Sequence, residues 1–331
     1  MKRYFVLSSL ILAFLATSCG ETSNVSNTKT ETETKIALEP APEFNADSAY
    51  YFLEKQLEFG PRVPNTQAHK ETGAYLINQF ENIGATVTVQ EFESEAFDGT
   101  VLQGKNIVAS FNESAKKRIL LASHWDTRPF ADHDTDKKEQ PIMGANDGAS
   151  GVAVLLEVAR VLSQSGKDLP VGVDIILFDL EDYGSPEDGQ KYCLGSQYWS
   201  ENKHKANYQA FYGILLDMVG GKNTTFVYED ISNKYASSIL KKVWSIAHEL
   251  NYQDLFLKKK VKHNIIDDHY YVNVKGHIPM IDIIGYNPVN DNYFIDTWHT
   301  HQDVLENIDK EHLKAVGQTL IQTIFNEVPK S

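Results

Sequence analysis

The sequence predicts an α/β fold: a three-layer α/β/α sandwich with a mixed, mostly parallel central sheet. Short apolar runs rich in β-branched residues alternate with longer segments in which apolar residues recur at helical spacing. This alternation is typical of a sheet covered by helices on both faces. Side chains that can bind a metal follow several of the apolar runs directly, and in such sheets ligands bind beyond the carboxyl ends of the strands.

The N-terminus has the features of an export signal. Lys2 and Arg3 precede an apolar stretch that ends in small residues before Cys19. The stretch is too short to span a bilayer, and a cysteine at this place resembles the acylated cysteine of bacterial lipoproteins. We therefore expect residues 1–18 to be a signal peptide with a lipobox and Cys19 to be a lipid anchor. The alternative is an ordinary cleaved signal in which Cys19 has no role.

These features predict an exported bacterial lipoprotein, anchored in a membrane and facing the periplasm or the cell surface. Residues 19–43 are rich in Thr, Ser, Asn and Glu, which predicts a flexible tether. Residues 44–331 contain no second break of this kind and are expected to form a single catalytic domain. Cys193 is the one cysteine left after Cys19, so no disulfide within the chain is expected.

The overall charge excludes some partners. The formal net charge is −14, which argues against binding to nucleic acid and is compatible with the cationic N-termini of peptides as ligands. We expect contact with a membrane through the N-terminal lipid only, and a monomeric protein.

The order of the elements follows from the apolar patterns. Runs of β-branched and other apolar residues predict buried strands, and apolar residues at a spacing of three and four predict helices. The predicted strands are 106–111, 118–123, 173–179, 212–217 and 279–284, and the predicted helices are 47–59, 71–83, 151–162, 232–250 and 310–325.

Carboxylates and histidines recur at the ends of these strands. His124, Asp182 and Asp217 each end or closely follow a strand, Asp147 comes just before a helix, and His299 follows the last strand after a long loop. Each residue alone has a structural explanation, such as a helix cap for Asp147. Because all of them reach the same rim of the sheet, together they predict a metal site.

Zinc chemistry fits this set of residues. Catalytic zinc takes three ligands of this type and keeps a position open for water or substrate; Asp147, Asp182 and His299 would supply three. Glu181 is adjacent to Asp182 and could turn toward the open position, where it would transfer protons as general acid and base.

Five motifs in this order resemble the M28 zinc peptidase family, which implies a zinc aminopeptidase-like fold from about Phe44 to the C-terminus. The motifs are His124-Trp125-Asp126, Asn146-Asp147-Gly148-Ala149-Ser150-Gly151, Glu181-Asp182, Leu215-Leu216-Asp217-Met218-Val219-Gly220 and Trp298-His299-Thr300. Trp298 directly before the ligand histidine, and Asp267-Asp268-His269 before the last strand, are similar to the glutaminyl-peptide cyclotransferase branch of that family.

The resemblance implies an activity and a role for each site residue. The activity is zinc-dependent cyclisation of an N-terminal glutamine of peptides or proteins to pyroglutamate, with release of ammonia. One Zn²⁺ per chain would be bound by Asp147, Asp182 and His299. Glu181 would be the proton shuttle and Trp298 would line the substrate pocket, while Asp217 and Asp267 would orient the shuttle and the substrate.

Two departures from the family pattern concern carboxylates. The family has a second glutamate where this chain has Asp182, so the ligand is one methylene shorter and the metal must lie closer to that strand. Asp282 lies inside the last predicted strand, where animal cyclases have histidine. A carboxylate there needs a partner, and we expect its role to be structural or supporting rather than direct contact with substrate.

Two other functions stay open at this point. A dinuclear zinc aminopeptidase of the same family would bind a second metal through His124, Asp147 and Asp217, and Glu181 would activate a bridging water. A non-catalytic peptide-binding lipoprotein would keep only the fold, but the intact ligand set and Glu181 argue against it. Cys193 is expected to be a buried thiol, and His269 to be solvated or a helix cap.

Overall fold

The computed structural model describes residues 35–165, 169–187, 189–289 and 293–328. Its helices are α1 (Ala46–Leu57), α2 (Gln67–Ile83), α3 (Ala149–Gln164), α4 (Leu194–Glu201), α5 (Asp230–Glu249), α6 (Asp268–Val274) and α7 (Lys310–Phe325), with a short 3-10 helix at Leu305–Asn307. Its strands are β1 (Thr86–Glu95), β2 (Val101–Phe111), β3 (Arg118–His124), β4 (Gly172–Phe178), β5 (Tyr212–Asp217), β6 (Phe226–Tyr228), β7 (Phe256–Lys260) and β8 (Met280–Ile284).

The central sheet has six strands in the order β1-β2-β4-β3-β5-β8. The pairs β4-β3, β3-β5 and β5-β8 are parallel, whereas β1-β2 and β2-β4 are antiparallel. The predicted mixed, mostly parallel sheet is thus confirmed, and each predicted strand and helix has a counterpart. β6 and β7 form a separate two-stranded sheet that the sequence patterns did not predict.

Alternate residues of the central strands bury their side chains in two different apolar layers, as the two-residue period of a strand requires. In β3, Ile119 and Leu121 belong to the larger layer together with residues of α1, α2, α3, α5 and α7. Leu120 and Ala122 belong to the opposite layer, where Trp199 of α4 and Val272 of α6 cover the sheet. The predicted three-layer α/β/α sandwich is confirmed.

The described chain begins before the predicted domain boundary. The side chains of Asn326, Gln322 and Gln318 donate hydrogen bonds to the backbone carbonyls of Ala37 at 2.7 Å, Glu39 at 2.7 Å and Pro42 at 3.1 Å. Residues 35–43, assigned to the flexible tether, therefore lie along the end of α7, and that part of the prediction is wrong. Hydrogen bonds from side chains to a segment without regular secondary structure leave no periodic pattern in the sequence, so the apolar patterns did not reveal them.

The predicted signal peptide, Cys19 and most of the tether lie outside the described residues. Within the ranges that the structure describes, no helix is both long and apolar enough to cross a membrane.

A close contact between α3 and the central sheet places the loop before this helix at the rim of the sheet. A Cβ atom on Gly151, in the first turn of α3, would lie 2.3 Å from Ser123 Oγ and 2.7 Å from the carbonyl oxygen of Leu216. Only glycine permits this approach to the ends of β3 and β5. The loop that precedes the helix, with Asp147, is thereby held against the carboxyl ends of the strands.

Candidate metal centre

The three predicted zinc ligands lie together beyond the carboxyl ends of the parallel strands. Candidate ligand atoms of Asp147, Asp182 and His299 all lie within 4.8 Å of one another. His299 Nε2 is 3.8 Å from Asp147 Oδ2 and 3.5 Å from Asp182 Oδ1. The structure therefore brings together the side chains that the sequence assigned to one metal.

The chemistry of these three residues fits zinc. All three are buried, and two carboxylates with one imidazole are donors that zinc accepts. Within the described part of the chain, Asp182 Oδ2 is buried and has no hydrogen-bond partner, an arrangement that is costly unless a cation compensates it. Burial, with the charge of Asp182 nearby, raises the pKa of Asp147 to about 6, as expected where carboxylates crowd around one point.

A second group of possible ligands shares Asp147. His124 Nε2 lies 3.1 Å from Asp147 Oδ1 and 3.2 Å from Asp217 Oδ1, and the three residues are buried together. One oxygen of Asp147 thus faces His124 while the other faces His299. These three side chains could therefore bind a second metal ion. The candidate ligands alone do not decide whether the protein binds one metal ion or two.

The backbone turns sharply where these side chains are presented. Leu180, Met218 and His299 have φ angles of 56°, 49° and 56°, in the left-handed region that non-glycine residues rarely occupy. Such backbone conformations are costly and concentrate at functional sites, where the surrounding structure holds them. Leu180 directly precedes Glu181, and Met218 directly follows Asp217.

Glu181 is held by contacts on its backbone and its side chain. Its N–H donates to Asp126 Oδ1 at 3.0 Å, and its carbonyl accepts from the N–H of Cys193 at 2.8 Å. The Cys193 thiol, which is buried as predicted, donates to Glu181 Oε1 at 3.1 Å. Burial raises the pKa of Glu181 well above its ordinary value, which suits a group that both takes and gives a proton.

Asp267 connects Glu181 to a deeper cluster of ionisable groups. It lies within 4.8 Å of Glu181 on one side and of His269 and Asp282 on the other. His269 Nε2 is 3.2 Å from Glu229 Oε1, and His269 is fully buried, so its predicted solvated role is wrong. Asp282 is fully buried behind Asp267, which agrees with a supporting role; burial first, and then the charge of Asp267, raise its pKa.

A cavity of about 480 Å³ opens beside the candidate ligands. Trp298 is half-buried in its wall, and its ring stacks on the His299 imidazole with 3.9 Å between ring centroids. The Phe294 ring packs against the same indole at 4.3 Å. The cavity is acidic on the ligand side and apolar elsewhere; its lining is Asp147, Glu181, Asp182, Gly189, Tyr192, Asp217, Met218, Ile265, Ile266, Asp267, Tyr271, Ile284, Phe294, Trp298 and His299.

Several residues that the sequence did not single out contact the ligands and hold them in place. Asp132 Oδ1 lies 3.1 Å from His299 Nδ1. Asp303 accepts hydrogen bonds from the backbone N–H groups of Asn146 at 2.7 Å and Asp147 at 3.0 Å. Asp126 could have been suspected from the motif that it shares with His124, whereas Asp132 and Asp303 lie in loops where no sequence pattern distinguishes them.

The fold and this arrangement of ligands define a zinc-exopeptidase-like α/β protein. A family model, that of peptidase family M28, matches residues 106–324, more than half of the 331 residues. The chain therefore belongs to peptidase family M28.

The proteins to which this chain is similar include both exopeptidases and glutaminyl cyclases. A Zn-dependent exopeptidase from Parabacteroides distasonis is 49% identical with a TM-score of 0.84, and the match covers 87% of this chain and 100% of that one. A Bacteroides thetaiotaomicron glutaminyl cyclase, solved with N-acetylhistamine, is 48% identical with a TM-score of 0.83 and the same coverage of 87% and 100%. The glutaminyl-peptide cyclotransferase of Dictyostelium discoideum is 23% identical over 300 residues, which cover 78% of each protein.

Proposed function

We propose that this protein is a glutaminyl-peptide cyclotransferase that converts an N-terminal glutamine into pyroglutamate and releases ammonia. The observation that carries this function is the indole of Trp298 stacked on His299, inside a cavity that also holds Glu181. An aromatic wall next to the metal ligand suits one compact side chain bent back on its own amine. The similarity to several glutaminyl cyclases supports the same function.

The reaction joins two parts of one residue. The α-nitrogen of the glutamine attacks its own γ-carbonyl carbon, a new C–N bond closes the five-membered ring, and the bond to the side-chain nitrogen breaks. Asp147, Asp182 and His299 would hold a zinc ion, which when bound polarises the γ-carbonyl. No covalent bond to the protein is needed.

The chain's own residues supply the proton transfers and the orientation. The α-nitrogen binds as an ammonium group and ends as the ring N–H, so it loses two protons. One proton leaves to solvent before the attack, and Glu181 accepts the other as the ring closes and delivers it to the leaving ammonia. Asp217 and Asp267 line the same cavity and orient the ammonium group toward Glu181. Trp298 restricts the side chain to conformations in which the amine and the carbonyl are close, which is the main requirement of a ring closure.

Several finer features belong to the same proposal. One zinc per chain is expected, and the protein acts as a monomer on peptides or proteins with N-terminal glutamine. Acylated Cys19 would anchor it as an exported lipoprotein. A Cys19→Ala variant that loses membrane association, together with the mass of the acyl group, would support the anchor; unchanged fractionation would reject it.

Metal content and two assays on one preparation of the purified protein test the activity. The first assay measures ammonia release from a glutaminyl dipeptide, and the second measures amine release from an aminoacyl chromogenic amide. We expect about one equivalent of zinc, fast ammonia release and little amide hydrolysis. Two zinc ions with fast hydrolysis and no pyroglutamate would reject the cyclotransferase.

The second candidate is a dinuclear aminopeptidase, which the cluster of His124, Asp147 and Asp217 favours. In that enzyme Glu181 would activate water for hydrolysis of the first peptide bond. The same two assays separate the two candidate functions, because the cyclotransferase releases ammonia and the aminopeptidase does not. A zinc-free protein that turns over neither substrate would favour the non-catalytic binding protein.

A further inference from the structure

We propose that Arg128 is a positioning residue of the metal centre, which fixes Asp182 directly and His299 through Asp132 in the geometry that binds the cation. The proposal rests on the zinc centre of the proposed function and does not depend on which substrate the protein cyclises or cleaves.

The guanidinium of Arg128 is fully buried and divides its hydrogen bonds between two aspartates. Nη1 donates to the carbonyl oxygen of Asp182 at 3.0 Å and to its Oδ1 at 3.1 Å. Nε and Nη2 donate to Asp132 Oδ1 at 2.7 Å and to Asp132 Oδ2 at 3.0 Å. A planar fork of this kind fixes both position and angle, which a lysine ammonium cannot do.

At Asp182 this contact distinguishes the two carboxylate oxygens. Oδ1 accepts from Arg128, whereas Oδ2 has no hydrogen-bond partner among the described residues. Oδ2 therefore has no competing contact, and Asp182 is expected to bind the metal mainly through this oxygen. Because the carbonyl of Asp182 is held by the same nitrogen, the short aspartate side chain has little freedom to rotate.

At His299 the effect is transmitted by Asp132. Asp132 Oδ1 pairs with His299 Nδ1 at 3.1 Å, at an angle outside that of a hydrogen bond, and Nε2 is directed toward Asp147 and Asp182. A carboxylate this close to the far nitrogen of a ligand histidine favours the tautomer with the proton on that nitrogen. The Asp132 side chain is 19% exposed, so without the fork of Arg128 it could turn toward water.

If Arg128 acted only through its charge, its effect on zinc binding would be opposite to that of a positioning residue. The cation on Arg128 repels a metal ion nearby, so its removal would by itself strengthen zinc binding. Loss of the fork would instead weaken binding, because Asp182 and Asp132 would no longer be held in place. Lysine keeps the charge and lacks the fork, and glutamine lacks both, so the two substitutions separate these effects.

The test is zinc affinity, measured by competition with a chromogenic chelator at fixed pH. We expect Arg128→Lys and Arg128→Gln each to weaken affinity by about 10- to 100-fold, the usual effect of losing a residue that supports a ligand. Asp132→Asn should have a similar effect, and the double variant Arg128→Lys/Asp132→Asn should lose much less than the product of the two single effects. Wild-type affinity in Arg128→Lys, or tighter binding in Arg128→Gln, would overturn the proposal.

Arg118 offers a matched control at the opposite end of β3. It forms a similar two-pronged pair with Asp174, through Nε and Nη2 at 2.7 Å each. Arg118→Lys should lower the melting temperature while zinc affinity stays as in the wild type. If zinc affinity falls equally in Arg118→Lys, the effect at Arg128 is general destabilisation and the proposal fails.

Two further comparisons keep the role of Arg128 testable if a variant does not fold or if the proposed function is wrong. If Arg128→Lys does not fold, Asp132→Asn decides, because Asp132 is partly exposed and its loss leaves the buried arginine paired with Asp182. Wild-type zinc affinity in Asp132→Asn would then reject the proposal. A wild-type protein that only hydrolyses aminoacyl amides would reject the cyclotransferase, yet the affinity comparison would still decide the role of Arg128.

Discussion

Glu181 and Asp182 are adjacent in the chain, yet their side chains meet different surroundings. Burial raises the pKa of Glu181 well above its ordinary value. Burial also acts on Asp182, but His299 and Arg128 outweigh it and lower its pKa. Two neighbouring carboxylates with pKa values moved apart are typical of a proton-transfer group beside a group that stays ionised.

A Glu181→Gln variant tests this division between the two residues. Glutamine has the same shape but cannot carry a proton between amine and ammonia, so kcat should fall by about 10²- to 10⁴-fold. Zinc content should stay as in the wild type because Glu181 is not among the expected ligands. A variant that loses its zinc as well would show that Glu181 binds the metal.

Cys193 is expected to orient Glu181 through its thiol. The S–H group donates to Oε1 at 3.1 Å, which leaves Oε2 to face the reacting groups. Cys193→Ala removes the donor and should lower kcat by about tenfold, the value of one hydrogen bond to a charged group, with little change in KM. Cys193→Ser keeps a donor and should restore most of the activity. Equal loss in both variants would indicate a packing role instead.

Trp298 is the residue that favours ring closure over hydrolysis in the proposed function. Trp298→Ala should lower kcat/KM for a glutaminyl dipeptide by about 10²-fold, because the substrate would no longer be confined near its reactive geometry. Trp298→Phe keeps an aromatic wall and should retain more of the activity. Full activity in the alanine variant, measured by ammonia release, would show that the indole is not a substrate wall.

At the scale of elements, the sequence predicted the buried central strands and missed the exposed edge strand, and it also missed β6, which is buried but has only 3 residues. β4 and β5 are buried at every position, so each forms an uninterrupted apolar run. β1 lies at the sheet edge and is mostly exposed or half-buried, and Thr86–Glu95 is too polar for such a pattern. α6 has only 7 residues, fewer than a helical period needs to become visible.

The residues of the candidate site likewise divide into those that the sequence predicted and those that it missed. The ligands were predictable as a set because five segments associated with strand ends converge at one rim, and His124 and Asp217 end buried strands directly. Arg128, Asp132 and Asp303 were not, since they lie in irregular loops and act through backbone groups or other side chains. Their sequence positions are set by tertiary contacts, which no local pattern records.

The contact between α3 and the strand ends can be tested at Gly151. Gly→Ala inside a helix normally stabilises by about 1 kcal/mol. Here a Cβ atom would lie 2.3 Å from Ser123 Oγ, so Gly151→Ala should instead destabilise by about 1–3 kcal/mol. Gly73→Ala in α2, where the nearest atom would be 3.2 Å away in Trp125, should have a smaller effect. Denaturant unfolding measures both; a more stable Gly151→Ala would contradict the close approach.

Across the described residues of the molecule, buried carboxyl groups with raised pKa values outnumber histidines with lowered ones. Burial is the main cause in each carboxyl group: it raises the pKa of Asp147 to about 6 and that of Asp303 to about 7. Others move in the same direction, namely Asp179, Glu181, Asp267, Asp268 and Asp282. His133 and His204, whose pKa values burial lowers, oppose the trend but are fewer.

The zinc-free protein should therefore lose stability as the pH rises from 5 to 8. An aspartate titrates near 3.8 in the unfolded chain, so between that pH and about 6 to 7 the folded state binds more protons than the unfolded state. The free energy of unfolding falls with pH wherever this holds. Denaturant unfolding in chelator across this range measures it, and Asp303→Asn should flatten part of the slope. Stability that rises steadily with pH in chelator would contradict the assignment.

Zinc should reverse this dependence, because its ligands must be deprotonated to bind and its affinity therefore rises over the same pH range. Unfolding with saturating zinc should give a curve that stays level or rises from pH 5 to 8. The difference between the two curves is the free energy with which zinc favours the folded chain, and it should widen as Asp147 loses its proton. A difference that stays constant over this range would mean that Asp147 does not release a proton when the metal binds.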